Sequence, residues 1–504
     1  MRRHPLLLEI SAWPWLERLS HEERRIVTLA TVPGQRWDRL ADDGFDVLFL
    51  MGVWQRSAIG RDIARTDRGL VAEYDRTLPD WTEADVPGSP YCIQAYEPDA
   101  RMGGWPGLDT ARHELERRGI SLILDFVPNH TGFDHAWIAE HPERYVLGTE
   151  EDYRIAPADF RLVDLRGVPV PIACGRDPYF APWTDVAQLN YFNPDTRRAM
   201  QATLRDIAAH CDGVRCDMAM LVLNDVFERT WRRLLRDESP PLATEFWSDT
   251  MRMIPELLYL AEVYWGLEGV LLEQGFTFAY DKRLLDGLHS PARAARTRDL
   301  LSASLPDPTR LARFLENHDE ARSAATLGAQ LPAAASLLAS LPGMRFFFDG
   351  QLEGRRIKAP VQLGRWPEEP ADEAVRALYE RALAFARARV LHEGEWKLLT
   401  VSTAGDPSFA DIIAYRWRSA DSLAVAVVNL GAATAQAHVA VGEDLFPGGA
   451  FDFDDRLTDA TYRWTRDSLL DRGLYVRLEA GRAHLFHVRV RREPDLDAPG
   501  VQTE

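Results

Sequence analysis

Short apolar runs recur along the chain, and each gives way to polar residues after four or five positions. They lie at Leu6 to Ile10, Val47 to Leu50, Ser121 to Leu124, Gly213 to Asp217, Leu257 to Leu260, Phe276 to Tyr280, Leu311 to Leu315 and Met344 to Phe348. Runs of this length, apolar on consecutive positions rather than on alternate ones, predict parallel strands buried on both faces. Helical spacing fills the intervals. Gly107 to Gly119 carries Leu108, Ala111 and Leu115 on one stripe and stops at glycine. Asp195 is placed to cap a stretch with Met200, Leu204, Ile207 and Ala208 inward. Strand and helix repeated about eight times predict an α/β chain folded as a (β/α)8 TIM barrel, with its functional face where the strands end.

Two breaks in this rhythm predict further domains. After His130 the alternation lapses until Asn193, and Pro142, Pro157, Pro169, Pro171, Pro178 and Pro182 are scattered through the gap. A loop of that length inside a compact domain is a functional insertion, here a lid domain over residues 131–192 following the third strand. After a long helical stretch from Ala371 to about Arg389, alternating patterns such as Ser422 to Val428 and Tyr475 to Leu478 predict a C-terminal antiparallel β sandwich over 391–490. The barrel then takes 1–130 and 193–390, and 491–504 reads as a flexible tail.

Composition narrows the partners. A chain of 504 residues accommodates two or three domains. With 59 basic and 77 acidic residues its net charge is -18, which disfavours nucleic acid and anionic membranes and leaves a neutral substrate. Arg2 and Arg3 precede an apolar run broken by Glu9, which does not read as a secretory signal, and no run is long enough to span a bilayer. Cys92, Cys174, Cys211 and Cys216 are too scattered for a disulfide framework or a zinc site, so the reading is a reduced, cytoplasmic protein. Oligomeric state is not legible.

Four of the runs end in chemistry. Their closing segments are Asp125-Phe-Val-Pro-Asn-His130, Gly213-Val-Arg-Cys-Asp217, Ala261-Glu-Val-Tyr264 and Glu316-Asn-His-Asp319. Arg215 and Asp217, two apart on a strand, share a face, so the guanidinium favours an ionised Asp217. Glu262 lies among Ala261, Val263 and nearby aromatic residues, a setting expected to keep a carboxyl protonated. One ionised and one protonated carboxyl are what cleavage of a sugar acetal requires, since one group meets the anomeric carbon while the other protonates the departing oxygen.

These four segments, in this order, resemble those of the α-amylase family, glycoside hydrolase family 13, and the resemblance extends over nearly the whole chain. It implies Asp217 as nucleophile, Glu262 as acid/base and Asp319 as transition-state stabiliser. Arg215, His130 and His318 would contact substrate, the histidines by donating to sugar hydroxyls, while Asp125 is read as a structural hydrogen-bonding residue. The stretch Ser89 to Tyr96 resembles the family segment that supplies a stacking ring, here Tyr91, although Pro90 and Cys92 depart from it. Trp54 and Trp265 are other conceivable sugar platforms, with packing the preferred reading among 15 tryptophans.

The resemblance implies a retaining α-glycosidase acting on α-glucosidic linkages of oligosaccharides or glucans. An α-glucan transglycosidase is the alternative, and an inactive scaffold ranks third. Met220-Leu221 stands where relatives carry Lys-His, which removes polar groups from the leaving-group side and points to short substrates. No cofactor is required. Asn129 occupies a position that ligates calcium in some relatives, but the other oxygens of such a cage are not identifiable, and Gln188 departs from the residue many relatives carry.

Overall fold

The computed structural model describes residues 2–235, 244–303 and 306–491; most of the stretch read as a tail, 492–504, lies outside them. Eight parallel strands close a barrel in sequence order: β1 (Leu6–Ser11), β2 (Val47–Met51), β3 (Ser121–Phe126), β4 (Gly213–Cys216), β5 (Leu258–Ala261), β6 (Phe278–Tyr280), β7 (Leu311–Phe314) and β8 (Met344–Phe348). Every residue of β2, β4, β5 and β8 is buried, as strands covered on both faces must be. By contacts the chain divides into two compact units, Leu8–Tyr280 with Ile357–Glu368, and Met1–Leu7 with Asp281–Arg356 and Glu369–Glu504.

In the first unit the helix Gly104–Glu116 buries Gly107, Leu108, Ala111 and Leu115, the stripe read from the sequence. The helix Pro194–Ala208 begins differently from that reading. Asn193 is its cap, accepting from the Asp195 N–H at 2.9 Å, with Pro194 in the first turn. A proline there loses no helical hydrogen bond, so the cap falls one residue before it. Between β3 and this helix lies a four-stranded antiparallel sheet in the order His130–Gly132, Trp183–Gln188, Val168–Gly175, Phe160–Leu165.

The second unit carries β7, β8 and the C-terminal sheets. A six-stranded sheet runs Glu395–Leu398, Ile412–Arg418, Leu423–Asn429, Ala483–Val490, Ala450–Asp455, Thr461–Thr465, and a three-stranded one runs Val401–Thr403, Ala435–Val439, Leu474–Leu478. Ile412, Val425, Phe453 and Phe486 of the first share one core with Ala437, Val439 and Val476 of the second. The other face of the larger sheet is also covered: Trp417 donates to the Ser340 carbonyl at 2.7 Å from the helix Leu331–Ser340. All four cysteines are buried free thiols. Among the described residues no helix is long and apolar enough to cross a membrane.

Candidate active site

Three neighbouring strands bring the acidic residues together. Arg215 on β4 stands level with Asp125 on β3 and Leu260 on β5. Past the strand ends the backbone ladder continues: the Asp217 N–H donates to Phe126 O at 2.9 Å and the Glu262 N–H to Cys216 O at 3.0 Å. Both carboxylates therefore leave the barrel on backbone that is hydrogen-bonded to it.

Arg215 holds the pair. Its Nη1 lies 2.6 Å from Asp217 Oδ1 and its Nη2 2.7 Å from Glu262 Oε2, with Asp125 Oδ1 at 3.6 Å. All four side chains are buried. Burial alone would lower the affinity of the guanidinium for its proton, but the carboxylates Glu262 and Asp217, with Tyr91 and Tyr280 beside it, outweigh that effect and hold the group well above its ordinary value. Arg215 is thus a permanent cation whose planar fork fixes two acids at once. Tyr91 and Tyr280 rings lie 5.1 and 5.9 Å from it. Asp125 is tied down on its far side, Oδ2 accepting from the Gly52 N–H at 2.8 Å while its carbonyl accepts from Trp54 Nε1 at 2.8 Å. Gly52 has φ +76 and a Cβ there would fall 2.8 Å from Pro90, so only glycine presents that N–H.

Glu262 is not in the apolar setting expected from its neighbours. Besides Arg215 it accepts from the Met218 N–H at 2.7 Å and the Tyr264 hydroxyl at 2.8 Å. Residues adjacent on an extended chain point to opposite sides, so Ala261 and Val263 do not enclose its carboxyl. The donors arrange Glu262 as an acceptor, the form a general base takes. Met218 reaches it from a left-handed backbone at φ 41, and Trp265 at φ 63 is likewise a non-glycine residue in that region; such strain, about 1–3 kcal/mol each, tends to gather at working sites.

His130 is buried beside this centre, and burial depresses it to about 4 against the opposing effects of Asp185 and a hydrogen bond to the Tyr91 backbone. It is a neutral ring at ordinary pH, linked through the chain to Tyr91. The Asn129 Nδ2 lies 3.3 Å from His130 Nδ1 and donates to Gln188 Oε1 at 3.1 Å, while Gln188 Nε2 donates back to Asn129 Oδ1 at 3.0 Å. Asn129 Oδ1 therefore faces the Gln188 amide N–H, which takes the place a cation would need beside that oxygen.

In the second unit β7 leads into Glu316-Asn317-His318-Asp319. Asn317 Oδ1 accepts from the Asp319 and Glu320 N–H groups, each at 2.9 Å, fixing the turn. His318, buried, has Nε2 2.9 Å from Oδ2 of the exposed Asp319. Glu316 is fully buried, held by Arg322 at 2.8 Å and the Ser323 N–H at 2.7 Å.

Other expectations shift. Met220 and Leu221 are buried in the tight turn Ala219–Val222. Trp54 is wholly buried, whereas Trp265 is 37% exposed and meets Tyr179, 60% exposed, edge to face at 4.9 Å. Tyr280 and the Met218 N–H escaped the sequence reading, and Tyr264, read there as part of an apolar surround, is instead a hydrogen-bond donor to Glu262. Tyr280 is hidden in an apolar run, and a backbone donor leaves no sequence signal.

A closed parallel barrel with a buried arginine clasping two carboxylates at its strand ends defines the class: a (β/α)8-barrel protein equipped for carboxylate chemistry. Its likeness is to the α-amylases. An α-amylase of Haloarcula japonica is 25% identical over 333 residues, 65% of this chain and 45% of that protein. The chain spans about half the length of the curated relatives it matches. A solved α-amylase from Lactobacillus plantarum superposes with TM-score 0.67 at 20% identity, covering 96% of this chain and 99% of that one. A maltogenic α-amylase from Thermotoga neapolitana gives TM-score 0.66 at 18% identity, covering 97% and 99%. No family model matches the sequence. The resemblance to the α-amylase family read from the four motifs thus stands in sequence and in fold.

Proposed function

We propose that the chain is a retaining α-glycosidase acting on α-glucosidic linkages of oligosaccharides or glucans. The observation that carries this reading is Arg215 held between Asp217 and Glu262 at 2.6 and 2.7 Å, a cation that fixes two acids side by side at the strand ends. Asp217 attacks the anomeric carbon and forms a glycosyl ester as the C–O bond to the leaving group breaks. Glu262 gives that oxygen its proton, having taken one up as sugar displaces its Met218 or Tyr264 contact. It then removes a proton from the acceptor that releases the sugar. The likeness of Glu316-Asn317-His318-Asp319 to the family segment supports Asp319 as the third acid of this scheme, and its bond to His318 supports a role in receiving sugar hydroxyls. Tyr91 offers a ring for stacking, and His130, hydrogen-bonded to the Tyr91 backbone, is the residue the motif assigns to sugar hydroxyls.

Water as acceptor makes the protein a hydrolase, and a sugar makes it a transglycosidase. Proton NMR of freshly cleaved maltooligosaccharides tests the reading, with the α-anomer of the new reducing end expected before mutarotation. Initial β-anomer, or no cleavage, would contradict it.

A further inference from the structure

The Gln188 side chain sits at a point where oxygens converge. Its Nε2 lies 3.0 Å from each of Asn129 O, Asn129 Oδ1 and Leu189 O, while its Oε1 accepts from Asn129 Nδ2 at 3.1 Å. Asn129 and Gln188 are both fully buried. Three carbonyl oxygens aimed at one buried point are the beginnings of a cation site, and here the point is filled by an amide nitrogen. The orientation of the amide is fixed by its partners, because the reverse would set Oε1 against three oxygens. Every hydrogen bond of the pair among the described residues is to a neutral amide, imidazole or carbonyl group. A divalent ion brought here would find no carboxylate among these partners to balance its lost hydration.

The pair also occupies a junction. Gln188 ends the strand Trp183–Gln188, which pairs with His130–Gly132 in register His130 to Gln188, and Asn129 directly precedes His130. The same bonds therefore anchor the inserted sheet beyond β3 and hold the ring that contacts the Tyr91 backbone.

We infer that the Gln188 amide stands in for a cation, so that this anchor is complete without metal. A neutral residue then does by hydrogen bonding what a bound ion does by coordination. The claim does not depend on the reaction proposed above, since its readout is stability.

The test is thermal unfolding of the full chain and of Gln188→Glu, each after EGTA treatment and with added calcium chloride. The parent is expected to melt at the same temperature in both. Q188E sets a carboxylate against three oxygens, so it should melt several degrees lower in EGTA and regain most of the loss with calcium. A parent chain that loses stability to EGTA and recovers it with calcium would overturn the inference, as would a Q188E whose Tm ignores calcium. Should Q188E not fold, the parent decides the matter together with its metal content by elemental analysis: about one tightly held calcium per chain, removed with loss of Tm, would overturn the proposal.

Discussion

Arg215 bears on every residue-level expectation, because both carboxylates of the pair answer to it. Asp217→Asn keeps the size of the side chain and one oxygen for the guanidinium, so the fold should persist while turnover drops by roughly three or more orders of magnitude. Circular dichroism beside kcat measurement checks both halves, and substantial residual turnover would remove Asp217 from its role. Glu262→Ala should discriminate among substrates. Poor leaving groups need a proton and should lose about 100-fold or more, whereas glycosyl fluorides, whose leaving group needs little, should lose far less in the first step. Equal losses across leaving groups would show that Glu262 is not the acid. The sequence revealed the pairing of Arg215 with Asp217 because alternation on a strand is local. It could not reveal the Met218 and Tyr264 donors to Glu262, which depend on a left-handed residue and on the way the chain turns after β5.

At the scale of elements, the barrel strands were legible because burial on both faces leaves few polar positions, and β2 and β8 coincide closely with their apolar runs. Cap and loop detail was less so. Asn193 rather than Asp195 begins its helix, a choice settled by Pro194, and Met220-Leu221 turn inward although their position in the sequence suggested a substrate contact. The loop after β5 and the inserted segment instead present Trp265 and Tyr179 to solvent as an edge-to-face pair. Trp265 lies three residues beyond Glu262, and its ring suits the apolar face of a pyranose. Trp265→Ala is therefore expected to raise KM for maltooligosaccharides by about tenfold, equivalent to roughly 1.4 kcal/mol, with kcat for an aryl glucoside nearly unchanged. An unaltered KM across a maltooligosaccharide series would assign the pair to packing alone.

For the whole molecule, four of the buried histidines contribute most clearly to the response to acid. Burial depresses His130 and His135 to about 4 and, with Arg345 adding to it, His4 and His392 to about 3. Each binds its proton more readily unfolded, near 6.5, than folded, so stability is full above that value and declines as pH falls toward 4. Each unit of depression corresponds to about 1.4 kcal/mol. Tm should therefore fall steadily between about pH 6.5 and 4, before most carboxylates titrate, and a flat profile over that window would contradict the assigned burial. The central claim, that this chain breaks α-glucosidic bonds through an ester on Asp217, is tested most directly by mass spectrometry of the intact protein after reaction with a fluorinated glycosyl fluoride, followed by peptide mapping. One label per chain on the peptide containing Asp217 is predicted; a label on Asp125 or Asp319, or none on a protein that still turns over substrate, would contradict it.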